Sequence, residues 1–125
     1  MNNHDLDSLF IIAALPAPGP SGSAAARINA QHAILAGHFP GRPVVPGVCL
    51  IDLARRVCSA LLGAEHRIAR ARALKFLVPV EPSTAGDLVV TASVVPIEGG
   101  ARAEAQITAN GAIAVKVSAE LVPSG

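Results

Sequence analysis

An α+β domain, one long helix laid against an antiparallel sheet, is the fold class this 125-residue chain predicts, and three stretches predict it. Between Gly47 and Leu62, the residues Gly47, Leu50, Ile51, Ala54, Val57, Cys58, Leu61 and Leu62 fall on one broad helical face. Between Ala101 and Ala109, small or apolar residues at 101, 103, 105 and 107 alternate with Arg102, Glu104, Gln106 and Thr108, the period-two pattern of a half-buried strand. Asn110-Gly111 then marks a two-residue hairpin, so Ala112 to Val122 returns as the neighbouring strand. One helix cannot cover both faces of such a sheet, but a curved sheet can wrap around it.

Taken in order, Leu9 to Leu15 is an apolar run closed by Pro16-Ala17-Pro18-Gly19-Pro20, and reads as a first strand. Ser23 to Asn29 is a weaker second strand, because alanines carry little β propensity. Gln31 to Gly37 is a loop or a single helical turn. The segment from Gly37 to Gly47 holds Pro40, Pro43 and Pro46 among three glycines, so its backbone path is strongly specified. Pro46-Gly47 starts the main helix and Gly63 stops it. The stripe Asp52, Arg55, Arg56 and Ser59 forms its polar side. Arg67 to Val78 and the β-branched Leu88 to Val95 are further strands, and Glu98-Gly99-Gly100 turns the chain into the alternating one. Neither a repeat nor a linker divides the sequence, so residues 1–125 read as a single domain.

Composition narrows the function classes. Hydrophobic residues make up 51% of the chain, more than a small monomer readily hides, which points to a buried subunit interface with edge strands pairing across a dimer. The aromatic residues are Phe10, Phe39 and Phe76 alone and the formal net charge is +1, so neither base stacking nor blanket phosphate neutralisation supports a nucleic-acid partner. The charge is unevenly spread: Arg42, Arg55, Arg56, Arg67, Arg70, Arg72 and Lys75 face only Asp52 and Glu65 in the same stretch, a basic region suited to an acidic partner. Cys49 and Cys58 lie two and a half helical turns apart and cannot bridge each other. Two unpaired thiols suit a reducing cytoplasm, and no spacing suggests a metal site. The acidic start, Met1 to Ser8, is no signal peptide, and Leu9 to Leu15 is too short to span a bilayer.

Two residues carry potential chemistry. Alone, His38 in a Pro/Gly loop is most simply a structural hydrogen bonder, and Asp52 an exposed helical ion pair with Arg55 or Arg56. Together they place an imidazole, a rigid loop, a helix start and an acid in one frame.

That frame, His38-Phe39-Pro40-Gly41-Arg42-Pro43-Val44-Val45-Pro46-Gly47-Val48, resembles the β-hydroxyacyl-acyl carrier protein dehydratases of the hot-dog superfamily, whose loop reads Gly-His-Phe-Pro-Gly-x-Pro-x-x-Pro-Gly. Leu74-Lys75-Phe76-Leu77-Val78-Pro79-Val80 followed by Ala85-Gly86-Asp87 resembles a second family segment, with a longer connection here. The resemblance covers about residues 29–121. It implies a hot-dog fold, a homodimer or higher oligomer, and loss of water from a (3R)-3-hydroxyacyl thioester on acyl carrier protein to give the trans-2-enoyl thioester, in cytoplasmic fatty-acid or related acyl or polyketide synthesis. It also implies a shared site, with His38 from one subunit and Asp52 from the other. Most family members have Glu at the Asp52 position, one branch has Asp, and Gln is usual where this chain has Arg56.

The residues suit that chemistry without a cofactor. A base takes the C2 proton, an acid helps the C3 hydroxyl leave, and donors hold the carbonyl oxygen. His38 is the expected base, its neutral form favoured in an apolar pocket. Asp52 is the expected acid, and Arg56 one turn along is a candidate ion-pair partner for it and an expected substrate contact. The Gly47 and Val48 amides at the helix start cradle the oxygen, Gly47 having no side chain in the way. Phe39 and Cys49 are expected to line the pocket. Two other readings stand beside this one: a hot-dog thioesterase, in which the acid activates water and His38 is dispensable, and a non-catalytic acyl-binding dimer subunit.

Overall fold

Alternation along the chain becomes a single sheet of six antiparallel strands. The computed structural model describes residues 9–36, 44–82 and 86–124. The elements are β1 (Phe10–Ile12), β2 (Ser21–Ile28), α1 (Ala33–Ala36), α2 (Gly47–Leu62), β3 (His66–Phe76), β4 (Asp87–Ile97), β5 (Gly100–Ala109) and β6 (Ala112–Pro123). The strand order is β1-β2-β4-β5-β6-β3, which leaves β1 and β3 as the edges. The first strand is shorter than Leu9 to Leu15, since only Phe10 to Ile12 pair with Ala26 to Ile28 before the proline-rich turn.

β4, β5 and β6 form a meander whose two hairpins use the expected turns. Ile97 pairs with Gly100 around Glu98-Gly99, and Ala109 pairs with Ala112 around Asn110-Gly111. Asn110 (φ 52°) and Gly111 (φ 78°) are both left-handed, as a primed two-residue turn requires. In β4 and β5 alternate residues are buried, including Leu88, Val90, Ala92, Ala103 and Ile107.

α2 lies across this face and packs most against β4. Its buried side centres on Leu50, Leu53, Val57 and Leu61. Leu53, three residues after Leu50 and four before Val57, belongs to this face by helical spacing, and Cys49, four residues before Leu53, extends it; both are buried. The many buried alanines, among them Ala24, Ala26, Ala92, Ala103 and Ala119, keep the sheet surface shallow so that the helix can come close. The helix ends in a Schellman motif: Gly63 is left-handed (φ 75°), its N–H donates to Ala60 O, and the Ala64 N–H donates to Ser59 O.

β3 differs from the other long strands. Apart from His66 and Ile68 its residues are exposed, and its pairing with β6 is broken by register shifts between Ile68 and Arg70 and between Ala71 and Ala73. These irregularities have a consequence for charge. Arg67, Arg70 and Lys75 stand opposite Val122, Glu120 and Lys116 on the outer side of β6, and bulged Arg72 reaches Glu120 at 3.4 Å. Cations spaced unevenly in sequence thus share one face of the sheet. The inner side of β3, with Ile68, Ala71, Leu74 and Phe76, stands opposite the buried residues of β6 yet leaves Leu74 and Phe76 exposed.

Candidate active site

α2 brings two chemical features to one side of the molecule: its N-terminus and its polar stripe. At the N-terminus, Pro46 is extended (φ −58°, ψ 140°) and supplies no side-chain cap. The Cys49 and Leu50 N–H groups both donate to Pro46 O, so the Gly47 and Val48 amides are the first-turn donors without an intrahelical partner. Val48 is 75% exposed. Gly47 is less open than expected. A Cβ there would stand 2.8 Å from Cε1 of Phe76, so the missing side chain makes room for that ring rather than for an unobstructed approach. Phe76, itself half exposed, is therefore a wall of the helix-start region, and only its place in the Lys-Phe segment hints at that in the sequence.

One turn further on stands Asp52. Its Oδ1 accepts a hydrogen bond from Arg55 Nε at 2.8 Å. Of the two candidate partners, Arg55 and Arg56, it is Arg55 that takes the carboxylate, its guanidinium also donating to the Glu65 carboxylate and to the His66 carbonyl oxygen (2.8 Å). Burial alone would make the Arg55 cation less favourable, but its bonds to Asp52 and Glu65 outweigh that and raise its pKa. Arg55 thus ties α2 to the start of β3. Ser59 does the same from the next turn: buried, it accepts from the His66 N–H at 3.0 Å, and the buried His66 ring bonds Ala64 O at 2.8 Å through Nδ1. Glu65 and His66 were missed as neighbours of Asp52, since only the chain reversal at Gly63 brings them back beside the helix.

A cleft of about 840 Å³ opens along this stripe. Asp52, Arg55, Arg56 and Ser59 line it from α2, with Glu65 from the turn that follows the helix, Arg67 from β3, and Leu15 and Ser124 from connecting chain. It is polar, where an apolar pocket was expected. Cys49 does not line it but is buried in the core. Burial, with the charge of Asp52 added, pushes the Cys49 thiol up, and burial pushes Cys58 to about 11 against the opposing pull of Arg55, so neither is a ready nucleophile. His38 and Phe39 lie outside the described residues. Among the described residues, no group of three His, Cys, Asp or Glu side chains lies close enough together to hold a metal ion. No helix of the described residues is long and apolar enough to cross a membrane.

The sequence from residue 19 to residue 111 matches the ApeI-like family, described as ApeI dehydratase. The chain belongs to the ApeI-like dehydratase family. Among curated relatives, it is 31% identical over 77 residues to the 3-hydroxyacyl-[acyl-carrier-protein] dehydratase FabZ of Wolbachia sp. subsp. Drosophila simulans, covering 58% of this chain and 54% of that protein. It is 30% identical over 82 residues to the FabZ of Chlamydia trachomatis serovar L2, with the same coverages. The chain spans about half the length of the curated relatives it matches. Among solved structures, the dehydratase heterocomplex ApeI:P from Xenorhabdus doucetiae superposes with a TM-score of 0.70 at 19% identity, over 90% of this chain and 96% of that one. The TT0310 protein from Thermus thermophilus gives a TM-score of 0.66 at 18% identity, over 99% and 100%. These likenesses establish the hot-dog fold: the curved six-stranded sheet around one main helix is shared by the ApeI-like chain and its structural neighbours.

Proposed function

We propose that this chain is a 3-hydroxyacyl-[acyl-carrier-protein] dehydratase, removing water from a (3R)-3-hydroxyacyl thioester to give the trans-2-enoyl thioester. The observation that carries the reading is Asp52, held by Arg55 on the wall of an open cleft one turn beyond the α2 N-terminus, whose Gly47 and Val48 amides have no intrahelical partner. Family membership supports the reaction type.

The chemistry follows from where charge develops. As His38 removes the C2 proton, negative charge builds on the thioester oxygen, and the Gly47 and Val48 amides, at the positive end of the helix dipole, stabilise it. The C2 electron pair then forms the C2–C3 double bond and the C3–O bond breaks. Asp52 orients the departing hydroxyl and relays to it, through a bound water, the proton that His38 took from C2, and the hydroxyl leaves as water. The Arg55 bond fixes one carboxylate oxygen and leaves the other for the hydroxyl. Arg56, also on the cleft wall, is placed to contact substrate.

A second subunit completes the site in this reading, His38 of one copy acting with Asp52 of the other. The exposed inner side of the β3 edge and the neighbouring Val48, Phe76 and Leu77 supply the apolar surface such a pairing would cover. The outer row of Arg70, Arg72 and Lys75 is the proposed landing surface for the acidic carrier protein, while Arg67, near the start of β3, lines the cleft. The protein works in the cytoplasm on this reading. The test is mass spectrometry of carrier-bound 3-hydroxyacyl substrates of graded length after incubation with the protein. A thioester lighter by one water, absent with Asp52→Asn, is the expected product. A free acid would indicate a thioesterase, and binding without turnover an acyl-binding subunit.

A further inference from the structure

We propose that the charged cleft beside Asp52 receives the far end of the acyl chain and that this end carries a carboxylate. The proposal rests on the dehydratase reading, which sets the direction in which the substrate lies. With the thioester oxygen at the Gly47 and Val48 amides and the 3-hydroxyl at Asp52, the reacting carbons advance by about one helical turn, ~6 Å, from the helix start. Carbons beyond C3 continue the same way, past Arg56 and Ser59 toward Gly63, and that path is the cleft of about 840 Å³.

Its walls do not suit an alkyl tail. Arg56 and Ser59 line the cleft from α2, and Arg67 of β3 and Ser124 just beyond β6 line it as well. The two carboxylates of the cleft, Asp52 and Glu65, are both engaged by Arg55. Among the described residues, neither Arg56 nor Arg67 has a carboxylate within ion-pair distance. A methyl-ended chain would strip water from two guanidinium groups and return nothing. A terminal carboxylate accepts from guanidinium donors in the geometry they are built for.

The experiment uses two 3-hydroxyacyl thioesters of equal carbon count on the same carrier, one ending in methyl and one in carboxylate. Both kcat/KM for water loss and the Kd of each thioester are measured. The carboxylate-ended substrate is expected to be favoured by about 10-fold or more, the scale of a hydrogen bond to a charged group. R67Q and R56Q are expected to pull that ratio toward one, while R67K, which keeps the charge and controls for folding, retains most of it. Equal or better use of the methyl-ended substrate overturns the proposal, as does a carboxylate preference that survives both R67Q and R56Q. If neither thioester loses water, the dehydratase reading has failed; the Kd ratio then decides the cleft separately, the same preference sustaining the site and its absence overturning it.

Discussion

The two long faces of α2 are held in place by different physics. On one, Leu50, Leu53, Ala54, Val57 and Leu61 are all at most 3% exposed and are fixed by the apolar area they remove from water. On the other, Asp52 and Arg55 keep side-chain exposures of 33% and 17% and are fixed by directed bonds to Glu65 and the His66 carbonyl. The first face makes the helix stable, and the second aims it. One helix can therefore be damaged in two separable ways, and substitutions show whether the separation is real.

The largest effect is expected at Asp52. Asp52→Asn keeps an acceptor for Arg55 but cannot deliver the proton, so turnover should fall by about 10²–10⁴-fold while the thermal midpoint barely moves. A matching loss of stability would show that the polar face is structural after all. On the opposite face, Leu53→Ala should cost about 2–5 kcal/mol in denaturant unfolding, because Leu53 is 1% exposed and the cavity cannot collapse against the sheet. Its residual folded fraction should keep the substrate preference of the parent.

Cys58 sharpens the comparison by pH. Burial lifts its thiol from the ordinary 9.0 to about 11, so the unfolded chain loses this proton before the folded one does. Stability is then fully present below pH 9 and falls as pH rises from 9 to about 11, and Cys58→Ala should flatten that part of the unfolding-against-pH curve. Gly47→Ala is expected to cost less, about 1 kcal/mol, since the half-exposed Phe76 ring can swing away from the new methyl group. In a Phe76→Ala background the same change should be nearly neutral, a coupling read by a double-mutant cycle. Arg72→Ala, far from both faces and joined to Glu120 at 3.4 Å on the surface, should shift stability by less than about 0.5 kcal/mol.

The sequence made some of this legible and hid the rest for identifiable reasons. β5 could be read directly because each of its residues either faces the helix or faces out, and Ala103, Ala105 and Ile107 sit where alternation places them. The Gly63 stop and the Asn110-Gly111 hairpin were legible because backbone geometry leaves few residues able to serve there. β3 was legible only as a strand. Its two bulges break the alternation, and the grouping of Arg67, Arg70 and Lys75 on one face emerges only from their partners on β6. In the site, the polar stripe of α2 was visible from spacing, and so was an ion pair at Asp52. The choice of Arg55 over Arg56 was not, because it depends on Glu65 and the His66 carbonyl, ten and eleven residues along and across a chain reversal. Leu53 and Cys49 belong on the buried face by spacing alone, Leu53 three residues after Leu50 and Cys49 four before Leu53, so the sequence held that signal too.

The central claim is that the imidazole and the carboxylate of one reaction centre come from different copies of the chain, and mixing two inactive variants tests it most directly. His38→Ala and Asp52→Asn, each nearly inactive alone, are unfolded together, refolded and assayed for water loss. Random pairing makes half the dimers mixed, each with one intact site of two, so about a quarter of the unaltered activity should return. A mixture no more active than its two components, with mixed dimers confirmed by native mass spectrometry, would contradict the account.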